Sequence, residues 1–316
     1  MEKVFEKRFI GGAQSIKGSC MLIVQEKKSF IFFIINIPRI IRDAWAPAGI
    51  IGVIALFIHN SFSFTNYFLI IGIVLGYALA YGLNDYFDAE TDKNDPEKFT
   101  RNFFVTNSIS RKVSSFVVLS VISILVAIFF NFGLRGLIFL FVSLLIMVIY
   151  SAEPFKIKSK PPFDLIIHSL FVLAYPYFLV VFLIPSSWKQ IDIFILSIFF
   201  LGSLIIQLEN QVRDYDSDIK TSNNSTILIG KINSLRLIKI LTGALTLITI
   251  TGFMLFPIVI LIPYAIIYSP IVLYRIIGNT GKARPDRLVR IVIAASLVYT
   301  VILILYVVSP GDTFAI

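Results

Sequence analysis

Residues 66–95 read NYFLIIGIVLGYALAYGLNDYFDAETDKND: a nearly uncharged run ends in a burst of carboxylates. Crossing a hydrocarbon core about 30 Å thick takes about 20 mainly apolar residues in a helix, so 66–87 reads as a transmembrane span. The polar end is ordered. Asn84, Asp88 and Asp92 follow the spacing N-x3-D-x3-D, and at 3.6 residues per turn such positions form a slowly drifting stripe on one helical face.

The composition around this stretch sets the class. Of 316 residues 57% are hydrophobic, 30 are Phe and only 15% are charged, well under the roughly 25% charged norm of soluble domains. The chain reads as an all-α integral membrane protein, a bundle of about nine transmembrane helices. The expected spans are 44–60, 66–87, 113–131, 133–151, 163–183, 191–211, 232–255, 257–277 and 288–308. Residues 30–42 read as an interfacial amphipathic helix. The apolar run FIFFIINI follows nearly thirty mixed residues and leads into PRIIRD, which does not resemble a signal-peptide cleavage site.

A formal charge of +9 raises the question of nucleic acid, and the placement of the charge answers it. Alternating the loops puts the basic N-terminal segment and the loops at 93–112, 156–160, 213–239 and 275–290 on one side. Only Arg135 and Lys189 fall opposite. This is the positive-inside pattern, so that side and the N-terminus are expected to be cytoplasmic and the C-terminus outside. No nucleic-acid partner is expected. The single cysteine, Cys20, excludes an internal disulfide and points to no thiolate metal site.

The ladder of residues 84–92 has a counterpart. ENQVRDYDSDIK places Asn210, Asp214 and Asp218 in the same N-x3-D-x3-D spacing. The two ladders close the second and the sixth expected spans, on the same side. Carboxylates gathered at low dielectric need a cation between them, whether a proton, a basic side chain or a metal, and acids beside transmembrane segments point to function. Hard oxygen ligands without nearby Cys or His suit Mg²⁺, which takes one or two carboxylates and completes its shell with water and phosphate. Two such ladders facing each other would make a diphosphate clamp.

NDYFDAETD and NQVRDYDSD resemble the two aspartate-rich motifs of the UbiA superfamily of intramembrane prenyltransferases. IKTSNNSTILIG is similar to that family's Thr-containing continuation toward a Gly, and YSAEPFKIKSK, from Tyr150, to its Tyr-initiated basic loop. Here the basic residues of the loop come at Lys156, Lys158 and Lys160, and Arg101 stands without the Arg-Pro pair frequent after the first motif. The resemblance covers most of the chain from about Arg39, with residues 30–316 expected as one transmembrane prenyltransferase domain behind a cytoplasmic segment, 1–29.

The resemblance implies Mg²⁺-dependent transfer of a polyprenyl group from its diphosphate to a hydrophobic acceptor: a quinone precursor, a glycerol phosphate lipid or a carotenoid, with phosphoribosyl transfer to a polyprenyl phosphate as a variant. It implies metal ligation by Asp88, Asp92, Asp214 and Asp218, with Asn84 and Asn210 completing the shell or bonding phosphate. Lys156, Lys158, Arg101 and Arg213 would neutralise the leaving group, and Tyr150 would donate to phosphate or shield the allylic cation. Partners would be the diphosphate, the acceptor and the bilayer, at a multi-pass site in the cell membrane facing the cytoplasm.

Other polar residues read as structural. His168 is expected to be a packing histidine, Asp85, Glu90, Asp95 and Asp216 to lie off the stripes, and Glu209 to meet a basic partner or the acceptor. Gly76, Gly82, Gly202 and Ser203 are expected to permit close helix approach. The competing class is a cation- or proton-coupled transporter, whose ion-binding carboxylates usually lie near the midplane. Here both ladders sit at one surface beside a basic loop.

Overall fold

The computed structural model describes residues 45–93, 99, 102–106, 111–219, 223–278 and 284–308. The proposed interfacial helix at 30–42, Cys20, Arg39, Arg101 and Asp95 lie outside the described residues.

Among the described residues nine principal helices follow one another: α1 (Trp45–Ile58), α2 (Phe64–Asp92), α3 (Arg111–Phe130), α4 (Gly133–Ser151), α5 (Phe163–Leu183), α6 (Gln190–Arg213), α7 (Lys231–Leu255), α8 (Ile262–Ile277) and α9 (Asp286–Val308). No strand occurs among the described residues. All but α1 are long and apolar enough to cross a membrane, α8 together with the 3-10 turn before it as Val259–Ile277. The described part of α1 has 14 residues, about 21 Å at 1.5 Å per residue, which is short of a full crossing. Protein surrounds it: Ala48, Ile51, Ala55 and Leu56 are all buried, and α1 packs against α2, α5 and α9.

From that centre the bundle closes on itself. α2 packs on α3 and α4, α5 on α6, α6 on α7, α7 on α8, and α8 on α9, which returns to α1. The outward faces carry large apolar side chains such as Phe116, Phe141, Leu247 and Leu305, all exposed. On a soluble protein such faces would be a liability; in hydrocarbon they meet a solvent as apolar as themselves.

Close helix approach occurs at other glycines than expected. At Gly76 and Gly82 an added Cβ would meet nothing within 4 Å, and at Gly202 only Leu173 at 3.9 Å. At Gly72 it would lie 3.0 Å from Ile128 and 3.2 Å from the Phe129 ring, so α3 approaches α2 there. On one helix Gly72 meets a neighbouring helix while Gly76 and Gly82 meet open space, and sequence spacing does not distinguish them.

At the end of the bundle away from the ladders, Asp192 holds three elements together. Its fully buried carboxylate accepts from the Tyr177 hydroxyl at 2.6 Å, the Lys189 amide at 2.7 Å and the His59 ring at 3.0 Å. A buried carboxylate persists only when its lone pairs are filled in this way.

Candidate functional site

The first ladder forms because α2 runs unbroken through Asp92. Ser63 caps its start, accepting from the Asn66 amide at 3.2 Å, and no Pro interrupts it. Asn84 and Asp88, one turn apart, are linked directly: the Asn84 amide donates to Asp88 at 3.2 Å. Asp92 accepts from the Asn102 amide at 2.8 Å, and that amide also bonds the Asp85 carbonyl at 2.8 Å. Buried Asn102 thus ties the short helix Phe103–Thr106 to the end of α2.

The loop after α4 delivers a cation to this ladder. Lys158, in a 3-10 turn at Ile157–Ser159, places its ammonium 2.6 Å from both Asp88 oxygens and 2.9 Å from the Asn84 carbonyl oxygen. Ser151 donates to the same Asn84 oxygen at 3.1 Å. Burial pushes the Lys158 ammonium below the ordinary lysine range, an effect that neighbouring Asp88 opposes. Lys156 also lies on the cavity wall, in a left-handed conformation with φ 34°, and is 3.5 Å from Glu153. Lys160 is exposed. Tyr150 faces the cavity, and its hydroxyl makes no hydrogen bond among the described residues.

The second ladder departs from the expected single helical face. α6 ends at Arg213, Asp214 turns at φ −88° and ψ 5°, and a separate short helix follows at Tyr215–Asp218. The four-residue connection survives the break, since the Asp214 amide bonds Asn210 at 3.0 Å and the Asp218 amide bonds Asp214 at 2.9 Å. Arg213 reaches Asn210 at 3.3 Å, Asp214 at 3.4 Å and Asp286 of α9 at 2.6 Å. Asp218 accepts from Asn224 at 3.0 Å.

A buried network supports this side. Asp164, fully buried in the first turn of α5, accepts from Gln211 at 2.7 Å and from the Ser225 amide and hydroxyl at 2.7 and 2.5 Å. The other end of the Gln211 amide accepts from the Thr226 amide and hydroxyl at 3.1 and 2.9 Å. The Thr-containing continuation is therefore pinned beside Asn210. Sequence reasoning passed over Asp164, although a carboxylate inside an apolar span is itself a signal. Asn102, Ser151 and Asp286 carried no such signal, because each matters only through a partner distant in sequence.

Both ladders line one cavity of about 800 Å³, which also takes in Lys156, Lys158, Tyr150 and Arg213. Asp85 and Asp216, expected off the stripes, are on its wall as well, because the cavity wraps further around each helix end than one stripe. Glu90 instead pairs with Lys93 at the surface, at 2.8 Å. Glu209 is buried and paired with Arg275, at 2.7 and 2.8 Å, and with Arg284. It takes the basic-partner reading rather than the acceptor one.

Away from the ladders the cavity turns apolar and runs between α2, α3, α4 and α5. α5 widens here into a π segment, Leu170–Ala174, in which the Tyr175 amide bonds the Leu170 carbonyl. The next such bond, to Phe171, would need an N–H that Pro176 lacks, and the Tyr77 hydroxyl of α2 donates to that carbonyl instead. His168 reaches this wall; Ser203 bonds its carbonyl at 3.3 Å and stands 3.5 Å from its ring.

The site offers oxygen donors and cationic side chains. Among the described residues no three or more His, Cys, Asp or Glu side chains gather closely enough to cage a metal. An ion between the ladders would draw its remaining ligands from water and from a bound phosphate, the coordination that Mg²⁺ favours.

Residues 45–297 match the model of the UbiA prenyltransferase family. No curated protein matches the chain in sequence. Among solved structures, a UbiA homolog from Archaeoglobus fulgidus bound to GPP and Mg²⁺ aligns with TM-score 0.66 at 18% identity, over 85% of this chain and 99% of that one. The apo UbiA homolog from Aeropyrum pernix K1 aligns with TM-score 0.64 at 13% identity, over 83% and 98%. A digeranylgeranylglyceryl phosphate synthase aligns with TM-score 0.58 at 17% identity, over 88% and 99%. These likenesses are of fold.

Proposed function

The chain belongs to the UbiA prenyltransferase family, and from that premise we propose that it transfers a polyprenyl group from an allylic diphosphate to a hydrophobic acceptor, with Mg²⁺ as cofactor. It is a multi-pass membrane prenyltransferase. The observation that carries the finer reading is one cavity with Asn84, Asp88, Asp92, Asn210, Asp214 and Asp218 at its mouth and an apolar interior behind them. That mouth suits a diphosphate and that interior suits an isoprenoid.

In this reading Asp88, Asp92, Asp214 and Asp218 hold the divalent ions, directly or through water. Asn84 and Asn210 complete the shell or bond phosphate oxygens. The Archaeoglobus fulgidus homolog of like fold binds GPP and Mg²⁺, which supports the pairing of head group and ion. Bound Mg²⁺ supplies neutralisation of the charge that grows on the departing diphosphate. Lys158, Lys156 and Arg213 add to it from the protein, with Arg101 as a further cation, because a leaving group parts from an allylic carbon only where its charge is met. Tyr150 donates to a phosphate oxygen or turns its ring face to the allylic cation. The acceptor enters from the bilayer; a quinone precursor, a glycerol phosphate lipid and a carotenoid all satisfy the cavity's chemistry. The loop charges support a mouth facing the cytoplasm in the cell membrane, with residues 1–29 on the same side.

Diphosphate release by the purified protein with an allylic diphosphate and Mg²⁺ tests this. Loss of release in both Asp88→Asn and Asp214→Asn supports the mechanism. Release surviving both removes it, and ion flux in vesicles would put a transporter in its place. Comparing lipid extracts with and without the protein identifies the acceptor through the prenylated product that disappears.

A further inference from the structure

The first ladder continues inward. Gly72, Gly76 and Ala80 precede Asn84 and Asp88 at the same four-residue interval, and all five line the cavity. At Gly76 the space beyond the backbone is open; at Gly72 it is closed by Ile128 and by the Phe129 ring. Phe129 is 4% exposed, and Leu140 and Leu179, from α4 and α5, are 5% and 3% exposed. Four helices therefore shut the cavity at the level of Gly72. The closed end, more than the run of small residues, is what measures a ligand.

Resting on the prenyl-diphosphate reading of this cavity, we propose that the contact of Phe129 with Gly72 is the floor that sets the longest isoprenoid tail accepted, and that Gly76 is the position the tail must pass to reach it. From Asn84 to Gly72 is twelve residues, about 18 Å of helix rise. An isoprene unit adds four carbon–carbon bonds of about 1.5 Å, or about 5 Å when extended. The space between ladder and floor thus takes between three and four units. From Asn84 to Gly76 the rise is about 12 Å, little more than two units. A bulky side chain at Gly76 blocks the third unit while leaving room for the first two.

The test is equilibrium binding, with Mg²⁺, of allylic diphosphates of two, three and four isoprene units to the full chain in one detergent. The variants are Gly76→Leu, Phe129→Ala and, as control, Gly82→Leu. Gly82 lies in the same helix with equally open space but off the cavity wall, so its variant cancels effects of helix propensity and of tail partition into micelles. Gly76→Leu is expected to lower the three-unit to two-unit affinity ratio at least tenfold, with the ratio unchanged in Gly82→Leu. Phe129→Ala is expected to raise the four-unit to three-unit ratio at least tenfold. If Phe129→Ala does not fold, Gly76→Leu still decides the matter. Parallel changes for the two- and three-unit ligands in Gly76→Leu overturn the ruler and leave the functional reading standing. Failure of the unaltered protein to bind any of the three ligands overturns the functional reading and the ruler with it.

Discussion

The ammonium of Lys158 lies 2.6 Å from both carboxylate oxygens of Asp88, across 70 residues of sequence. Clustered carboxylates at a membrane surface require a cation, and here a basic side chain supplies one. The contact also positions that lysine at the mouth of the cavity, where a phosphate would arrive.

If Lys158 neutralises the leaving group, Lys158→Met lowers the rate of diphosphate release by about 10²–10³-fold, the usual loss when one preorganised charge is removed. Asp88→Asn is expected to fall by a similar factor. Since the two side chains touch, the double variant falls by less than the product of the single losses. Rates of the three variants at saturating Mg²⁺ check this, and strictly multiplicative losses would contradict it.

Chelation of divalent ions is expected to abolish diphosphate release, and added Mg²⁺ to restore it. Helical content measured by circular dichroism should not change, because no metal cage among the described residues supports the fold. Unfolding on chelation would show instead that an ion is structural.

Asp164→Ala leaves the Gln211 amide and the Ser225 amide and hydroxyl without their buried acceptor. We expect a cost of about 3 kcal/mol, read as a lower thermal midpoint in detergent. Because Gln211 adjoins Asn210 in α6, diphosphate release per folded molecule should fall as well.

Asp192→Ala strips the acceptor from Tyr177, His59 and the Lys189 amide and is expected to cost about as much, again about 3 kcal/mol. It lies at the far end of the bundle, so activity per folded molecule should stay at the unaltered level. A fall in activity matching that of Asp164→Ala would show that the two ends of the bundle are coupled.

The legible part of the site was the part written along one helix. Asn84, Asp88 and Asp92 share a face of α2 whatever surrounds them, because the spacing alone sets it. Asn210, Asp214 and Asp218 were legible as a motif, yet the helix break after Arg213 was not, since no Pro or Gly marks it. Gly76 and Gly82 show the same limit: both suit a helix contact, and both face open space.

By itself the sequence determined the spans and the ladders. Lipid admits only segments whose backbone bonds are satisfied internally and whose surface is apolar, so helix positions follow from composition along the chain. Tertiary structure alone decided that Lys158, and neither Lys156 nor Lys160, meets Asp88. It also decided that Asp164 and Asn102 carry the two motifs and that Phe129 closes the cavity against Gly72. Those contacts join residues from 10 to 70 positions apart, and they depend on how helices are rotated and staggered against one another. Hydrophobicity, being without direction, leaves that choice to packing and buried hydrogen bonds.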